Sequence, residues 1–309
     1  MAGNNHKAKR RKVAAQSLNG KKETGRATVA AKGRLLLIGG REDKEGERVL
    51  LRYLVEQLAS GKLVVATLAS SIAQEQWEQY HRLFNWLGLK EVEHLTIGQR
   101  ETLCDEHWCK VLAGAKAVFF TGGDQYRLTT RLGGTKAWER IEKIYRKGGI
   151  IAGTSAGAAA LSEVMLSSGR GEEIYRNDAV PFLAPGLGLA RNMIVDQHFS
   201  ERGRIRRLLN AVAQNPRLLG VGIDEDTAVL IEGEHGFQVL GSGAVYIIDG
   251  RELTYSHISG EVPERALSVF NVGLHVLSHH DQFDLVTRQP VLVSAVEADR
   301  EERMPMLAD

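Results

Sequence analysis

Apolar runs and amphipathic stretches take turns along the first half of the chain. Residues 35–38 form a short apolar run closed by Gly39-Gly40. Residues 48–58 then place Val49, Leu50, Tyr53, Leu54 and Leu58 at helical spacing. The same alternation predicts strands at 63–68, 92–97, 117–120 and 150–151. Helices are predicted at 72–87, near 102–113, and over 126–147 with a break at Gly133-Gly134. Strands and helices at these spacings predict a doubly wound, mostly parallel sheet covered on both faces.

The register changes after residue 163. Residues 163–192 lack periodicity and read as a partly irregular excursion. Met193–Val195 is apolar and runs into Asp196-Gln197-His198. Ser200 then reads as the N-cap of a helix over 201–212, with Ile205, Leu208, Leu209 and Val212 as its buried stripe. From residue 218 short segments dominate, at 219–223, 228–231, 237–240, 245–248, 274–277 and 283–286. They predict antiparallel strands added at the edge of the one sheet. Residues 34–309 are expected to form a single α/β domain.

The segment 149–161 stands out because a buried-type strand runs straight into Gly153-Thr-Ser-Ala-Gly157 and an alanine-rich helix. Such a turn projects the Ser155 hydroxyl from a strand end, beside the unpaired N–H groups of the helix that follows. Two readings compete, a nucleophile and a serine that merely caps the helix. In open α/β sheets ligands bind beyond the carboxyl ends of the strands. Three other such ends are polar: Gly122-Gly123-Asp124-Gln125, Asp196-Gln197-His198 and Gly222-Ile223-Asp224-Glu225-Asp226. A serine needs a base, and His198 is the histidine of ten that sits at such an end. Asp224, Glu225 and Asp226 all offer the carboxylate that would orient it. The order serine, histidine, acid departs from the serine, acid, histidine order of α/β-hydrolases.

Charge adds a further division. The net charge of +2 conceals ten Lys or Arg against one acid in residues 1–34, leaving thirty basic and thirty-seven acidic residues beyond, a formal −7. The first 33 residues read as a basic, solvated tail, disordered by itself. The acidic remainder argues against a nucleic-acid partner. No run approaches the roughly eighteen apolar residues of a membrane helix. Two cysteines cannot build a disulfide framework, and the tail lacks the apolar core of a secretory signal, which together predict a cytoplasmic protein. Cys104 and Cys109 lie five apart, on different faces of a helix, so no metal and no other cofactor is expected.

Taken together, Gly122-Gly123-Asp124-Gln125, the Ser155 elbow, Asp196-Gln-His-Phe with its arginine-studded continuation to Arg207, and Gly222-Ile-Asp-Glu-Asp226 give a specific likeness over roughly residues 34–290. The chain resembles the serine peptidase family of the cyanophycinases and the α-aspartyl dipeptidases. That family's fold is similar to the flavodoxin-like class I glutamine amidotransferases. The resemblance implies Ser155 as nucleophile, His198 as general base and then acid, and Glu225 as the orienting carboxylate. It implies an oxyanion hole at the N–H groups of Gly123 and Ala156. Gln125, Asp196, Gln197, Arg202, Arg204 and Arg207 would lie on the substrate side. Asp-Gln-His-Phe with its arginines points to the branch that degrades cyanophycin, a poly-aspartate with arginine on each β-carboxyl. The implied activity is exopeptidase release of β-Asp-Arg dipeptides through an acyl-enzyme, by a homodimer.

On residue pattern alone the arginines read as a charged outer helix face. With the resemblance, Arg202 and Arg204 are favoured as ligands for substrate carboxylates. Asp196 is then the natural partner for a guanidinium. Two alternatives remain: an α-aspartyl dipeptidase, or a catalytically silent binding protein on the same fold.

Overall fold

The structure is a computed structural model that describes residues 33–96, 106–167, 182–258 and 267–292. The first strands and helices are β1 (Arg34–Ile38), α1 (Val49–Leu58), β2 (Lys62–Ala66), α2 (Ala73–Trp86), β3 (Val92–Leu95), α3 (Glu106–Val111), β4 (Ala115–Phe120), α4 (Gln125–Leu132), α5 (Lys136–Arg146) and β5 (Ile150–Thr154). They follow the alternation read from the pattern, including the break at Gly133-Gly134. Asp124 caps α4 by accepting the N–H groups of Tyr126 and Arg127, and Thr135 caps α5 by accepting that of Trp138. The basic tail, apart from Gly33, and Cys104 lie outside the described residues.

Next come α6 (Ala156–Leu161), β6 (Ser162–Ser167), β7 (Phe182–Pro185), β8 (Ala190–Gln197), α7 (Ile205–Gln214), β9 (Leu219–Ile223), β10 (Thr227–Glu232), β11 (Gly236–Gly241) and β12 (Val245–Asp249). The remaining strands are β13 (Tyr255–Ser256), β14 (Val269–Phe270), β15 (Gly273–Leu277), β16 (Gln282–Asp284) and β17 (Gln289–Val291).

These strands do not all join one sheet. A nine-stranded sheet has the order β17-β16-β11-β10-β1-β5-β4-β2-β3, and its five strands from β1 to β3 are parallel. A second sheet has the order β15-β12-β9-β8-β6-β7, and β13 pairs with β14 alone. The expectation of strands added to one edge is therefore corrected. β10, β11, β16 and β17 extend the large sheet, whereas β9, β12 and β15 build the second. The excursion at 163–192 holds β6, β7 and the start of β8, with residues 168–181 outside the described set.

Side-chain alternation explains the layering. In β1, Leu36 and Ile38 face α1 and α2 with Leu50, Leu54, Tyr80 and Phe84, while Leu35 and Leu37 face the other way. That second layer holds α5, Ala158 and Ala160 of α6, and Val195, Val221 and Ile223 from the inner face of the second sheet. The outer face of the second sheet packs Ile194 and Ile248 against Leu208, Ala211 and Val212 of α7. The helix expected from residue 201 begins only at Ile205, because residues 199–204 form turns. Ile205 accordingly stays 37% exposed rather than joining the buried stripe. Among the described residues no helix is long and apolar enough to cross a membrane.

Candidate active site

β5 is buried along its whole length at the centre of the large sheet, and the chain must leave it abruptly. Gly153 and Gly157 make that possible. A Cβ on Gly153 would lie 2.5 Å from the carbonyl carbon of Gly157, and one on Gly157 would lie 2.4 Å from the carbonyl oxygen of Phe120. Between them Ser155 is held at φ 53°, ψ −117°, a strained conformation for a non-glycine residue. Its N–H donates to the carbonyl of Ile38 at 2.9 Å, which ties the turn to the end of β1.

The Ser155 side chain does not cap α6. Its Oγ lies 2.9 Å from His198 Nε2, and His198 Nδ1 lies 2.6 Å from Glu225 Oε1. A carboxylate only accepts, so Nδ1 carries the proton and Nε2 is left to accept from the serine hydroxyl. His198 is 5% exposed, and burial holds its pKa below the usual 6.5, against the opposing pull of the Glu225 hydrogen bond. The imidazole is thus neutral at neutral pH and available as a base. Gly122 lies against the serine, since a Cβ there would stand 3.4 Å from Ser155 Cβ. The turn that begins at Gly122 therefore lies beside the serine, and Ala156 follows it at the start of α6.

The three adjacent acids have separate duties. Only Glu225 reaches His198. Asp224 accepts the N–H groups of Ser200 at 2.9 Å and Ala244 at 3.2 Å. Asp226 accepts the N–H of Asp43 at 2.8 Å and the hydroxyl of Ser242 at 2.9 Å. The flanking pair braces the turn that presents Glu225.

Pattern reading took Gly39-Gly40 only as the close of β1, but the loop after it organises the site. The N–H of His198 donates to the carbonyl of Gly39, and that of Asp226 to the carbonyl of Gly40, both at 2.9 Å. Gly40 has φ +105°, and a Cβ on it would lie 2.3 Å from His198 Cε1, so the imidazole packs directly on bare backbone. Arg41 sits over Glu225, with Nε 3.4 Å from Oε1. Glu201 accepts the N–H of Glu225 at 3.1 Å. Glu42, with its side chain 1% exposed, accepts from Tyr80 and from Thr154, the residue before the serine, and pairs with Lys44 at 3.0 Å. A glycine pair at a strand end was the signal available in sequence for this loop.

The residues expected on the substrate side divide. Asp196 is fully buried and is shared by two guanidinium groups. Arg204 Nη1 lies 3.1 Å from its Oδ1, and Arg207 makes two bonds, at 2.9 Å to Oδ2 and 2.5 Å to Oδ1. Gln197 donates its N–H to Asp196 Oδ1 at 2.9 Å and accepts from Arg204 at 3.0 Å. Burial lowers the Arg204 pKa to about 10, with Asp196 opposing. Asp196, Gln197, Arg204 and Arg207 thus form one internal cluster, and Asp196 serves as a counter-ion rather than an open partner for a ligand guanidinium. Gln125 is buried and donates to the carbonyl of Leu166 at 2.6 Å. Arg202 stays exposed on the turn after His198, with no ion pair among the described residues.

The layout is a serine at the end of a central parallel strand with its base and acid on neighbouring strand ends. It agrees with what comparison finds. The model of peptidase family S51 matches residues 35–239. The chain belongs to peptidase family S51. It is similar to the cyanophycinase of Synechococcus elongatus, 36% identical over 261 residues that cover 84% of this chain and 81% of that one. A cyanophycinase from a Nostoc species is 40% identical over 270 residues, covering 85% and 89%. Among solved structures, a peptidase from an acI-B1 actinobacterium superposes with a TM-score of 0.58 at 22% identity, covering 79% of this chain and 97% of that one. This likeness bears on the fold. Like other S51 members, the chain is a peptidase by family.

Proposed function

We propose that the chain is a cyanophycinase that uses Ser155, His198 and Glu225 as a catalytic triad. The observation that carries this reading is the hydrogen-bonded run from Ser155 through His198 to Glu225, built on a strained serine. His198 Nε2 takes the hydroxyl proton as Ser155 Oγ attacks a main-chain carbonyl of the poly-aspartate. Glu225 stabilises the imidazolium that forms. The developing oxyanion is met by the N–H groups of Gly123 and Ala156, each worth about 3 kcal/mol on the barrier. His198 then protonates the leaving amine, an acyl-enzyme remains on Ser155, and water attacks it with His198 again as base.

Arg202 is the available guanidinium beside His198 and would bind the free carboxylate of a substrate arginine. Arg204 and Arg207, held on Asp196, would present their remaining N–H groups to the same ligand from a fixed frame. Gln125 and Gln197 belong to this substrate side as well. The enzyme would act as a homodimer in the cytoplasm, which light scattering and cell fractionation test.

The decisive experiment incubates the protein with purified cyanophycin and reads the products by mass spectrometry. The expected main product is β-Asp-Arg. Cleavage of free α-aspartyl dipeptides with cyanophycin left intact would make the chain an aspartyl dipeptidase instead.

A further inference from the structure

Glu42 is a buried carboxylate that the triad does not use, and its partners lead to the nucleophile turn. Its two oxygens have separate partners. Oε1 accepts from the Tyr80 hydroxyl, and Oε2 accepts from the Thr154 hydroxyl. Lys44 Nζ pairs with Oε1 at 3.0 Å and lies 5.2 Å from the centre of the Tyr80 ring. Strand parity explains why Thr154 arrives there. Ile150 and Ala152 of β5 face the α1–α2 layer, so Thr154, two positions on, points to the same side, where Tyr80 lies.

A buried carboxylate is a costly way to fill a core, since an apolar side chain of similar volume needs no partners. What this one adds is a charge-assisted hydrogen bond, roughly twice as strong as a neutral one, to the residue before Ser155. The Ser155 backbone, at φ 53° and ψ −117°, persists only where its surroundings over-determine it. The carbonyl of Ile38 fixes the serine N–H, and Glu42 fixes the preceding side chain. The same loop also holds the other two triad segments. The carbonyls of Gly39 and Gly40 accept the N–H groups of His198 and Asp226, and Asp226 accepts that of Asp43. Residues 39–43 therefore touch the nucleophile strand, the base and the acid turn.

We propose that Glu42 is a positioning residue for the peptidase reaction, holding the strained Ser155 turn in register with His198 through Thr154. This rests on the reading of Ser155 as the nucleophile. Without the tether the hydroxyl drifts from Nε2, and attack slows. The groups that bind substrate stay where they are, so the loss falls on kcat and not on KM.

The test compares Thr154→Val, Thr154→Ser, Tyr80→Phe and Ser155→Ala with the wild-type protein. Each is measured for kcat and KM on cyanophycin, for Tm, and for its rate of labelling by a fluorophosphonate. In that labelling an Oγ–P bond forms as fluoride leaves and the serine proton passes to the base. Thr154→Val keeps the shape without the hydroxyl and should lower kcat and the labelling rate by ~10-fold or more, with KM nearly unchanged. Thr154→Ser restores the donor and should return both rates to within about threefold of wild type. Tyr80→Phe removes a bond from the other oxygen, so it should lower Tm while costing far less in kcat than Thr154→Val. Glu42→Leu should reproduce the Thr154→Val loss, and combining the two should cost little more, because both break one bond. Should Glu42→Leu not fold, the two Thr154 variants carry the test. Unchanged rates in Thr154→Val overturn the proposal, as does a loss confined to KM or one that Thr154→Ser fails to restore. A kcat loss in Tyr80→Phe equal to that in Thr154→Val also overturns it, since the rate would then follow stability alone. Turnover that persists in Ser155→Ala overturns instead the nucleophile reading beneath it.

Discussion

The large sheet carries the proposed nucleophile, the second sheet carries its proposed base, and the two hold them by different means. Ser155 leaves the end of β5, a strand buried on both faces and paired in parallel on both sides. Its position is enforced by packing, through Gly153 and Gly157, and by a strained backbone. His198 leaves the end of β8 and Glu225 follows β9, neighbours in the second sheet. Their positions are enforced by polar contacts: the carbonyls of Gly39 and Gly40, the braces of Asp224 and Asp226, and the Asp196–Arg204–Arg207 cluster behind β8. The comparison teaches that the site is a seam. Only Asp224, Glu225 and Asp226 separate β9 in one sheet from β10 in the other, so the acid sits where the chain crosses between them.

The sharpest way to break the comparison removes the nucleophile alone. Ser155→Ala deletes one hydroxyl and should lower kcat on cyanophycin by ~10⁴-fold or more, with Tm nearly unchanged. Retained turnover would show that the seam is not where cleavage occurs.

On the other side of the seam, Glu225→Gln keeps the shape but no longer fixes the His198 tautomer. Activity should fall by ~10³-fold. Asp224→Asn and Asp226→Asn keep one acceptor oxygen each, so they should cost less than about tenfold in kcat and register mainly in Tm. Equal losses in all three would mean the turn acts as a unit and Glu225 has no special station.

The contact between the two halves is probed by Gly40→Ala. The new methyl would enter the space of the imidazole and sit on backbone of positive φ. A displacement of about 1 Å costs ~10²-fold in rate, and kcat should carry that loss while KM moves little.

The legibility of these parts in sequence differs for a physical reason. β1 to β5 and their helices were readable because each strand's burial and each helix's apolar stripe are local patterns. The elbow was readable because the tight turn demands glycine on both sides of Ser155. Which sheet a late strand joins is not local. Leu219–Ile223 and Thr227–Glu232 are equally apolar, yet one pairs with β8 and the other with β1. The arginines after His198 show the same limit. Their spacing marked a polar helix face, but the burial of Asp196 that draws Arg204 and Arg207 inward depends on strands that sequence did not pair. The turn at 199–204 was missed because Ser200 resembles an N-cap, whereas its N–H is already taken by Asp224.

The smallest predicted effect concerns the proton on His198. Burial depresses its pKa, and the nearby cationic charges of Arg202 and Arg204 add to that, while Glu225 opposes them. The acid limb of kcat/KM should therefore fall below pH 6.5, since activity requires the neutral imidazole. Stability carries the same sign. The neutral form is favoured by the fold, so its contribution is complete above the unfolded value of 6.5 and is lost as pH drops through the lower folded value. Arg202→Gln removes one repelling cation without touching the hydrogen bonds of the triad. The acid limb should then move up toward 6.5, by the modest amount one exposed charge contributes. If Arg202 also binds the substrate carboxylate, KM rises in the same variant at every pH. A KM increase with an unmoved limb would assign Arg202 to the ligand alone, and a moved limb with unchanged KM would assign it to the base alone.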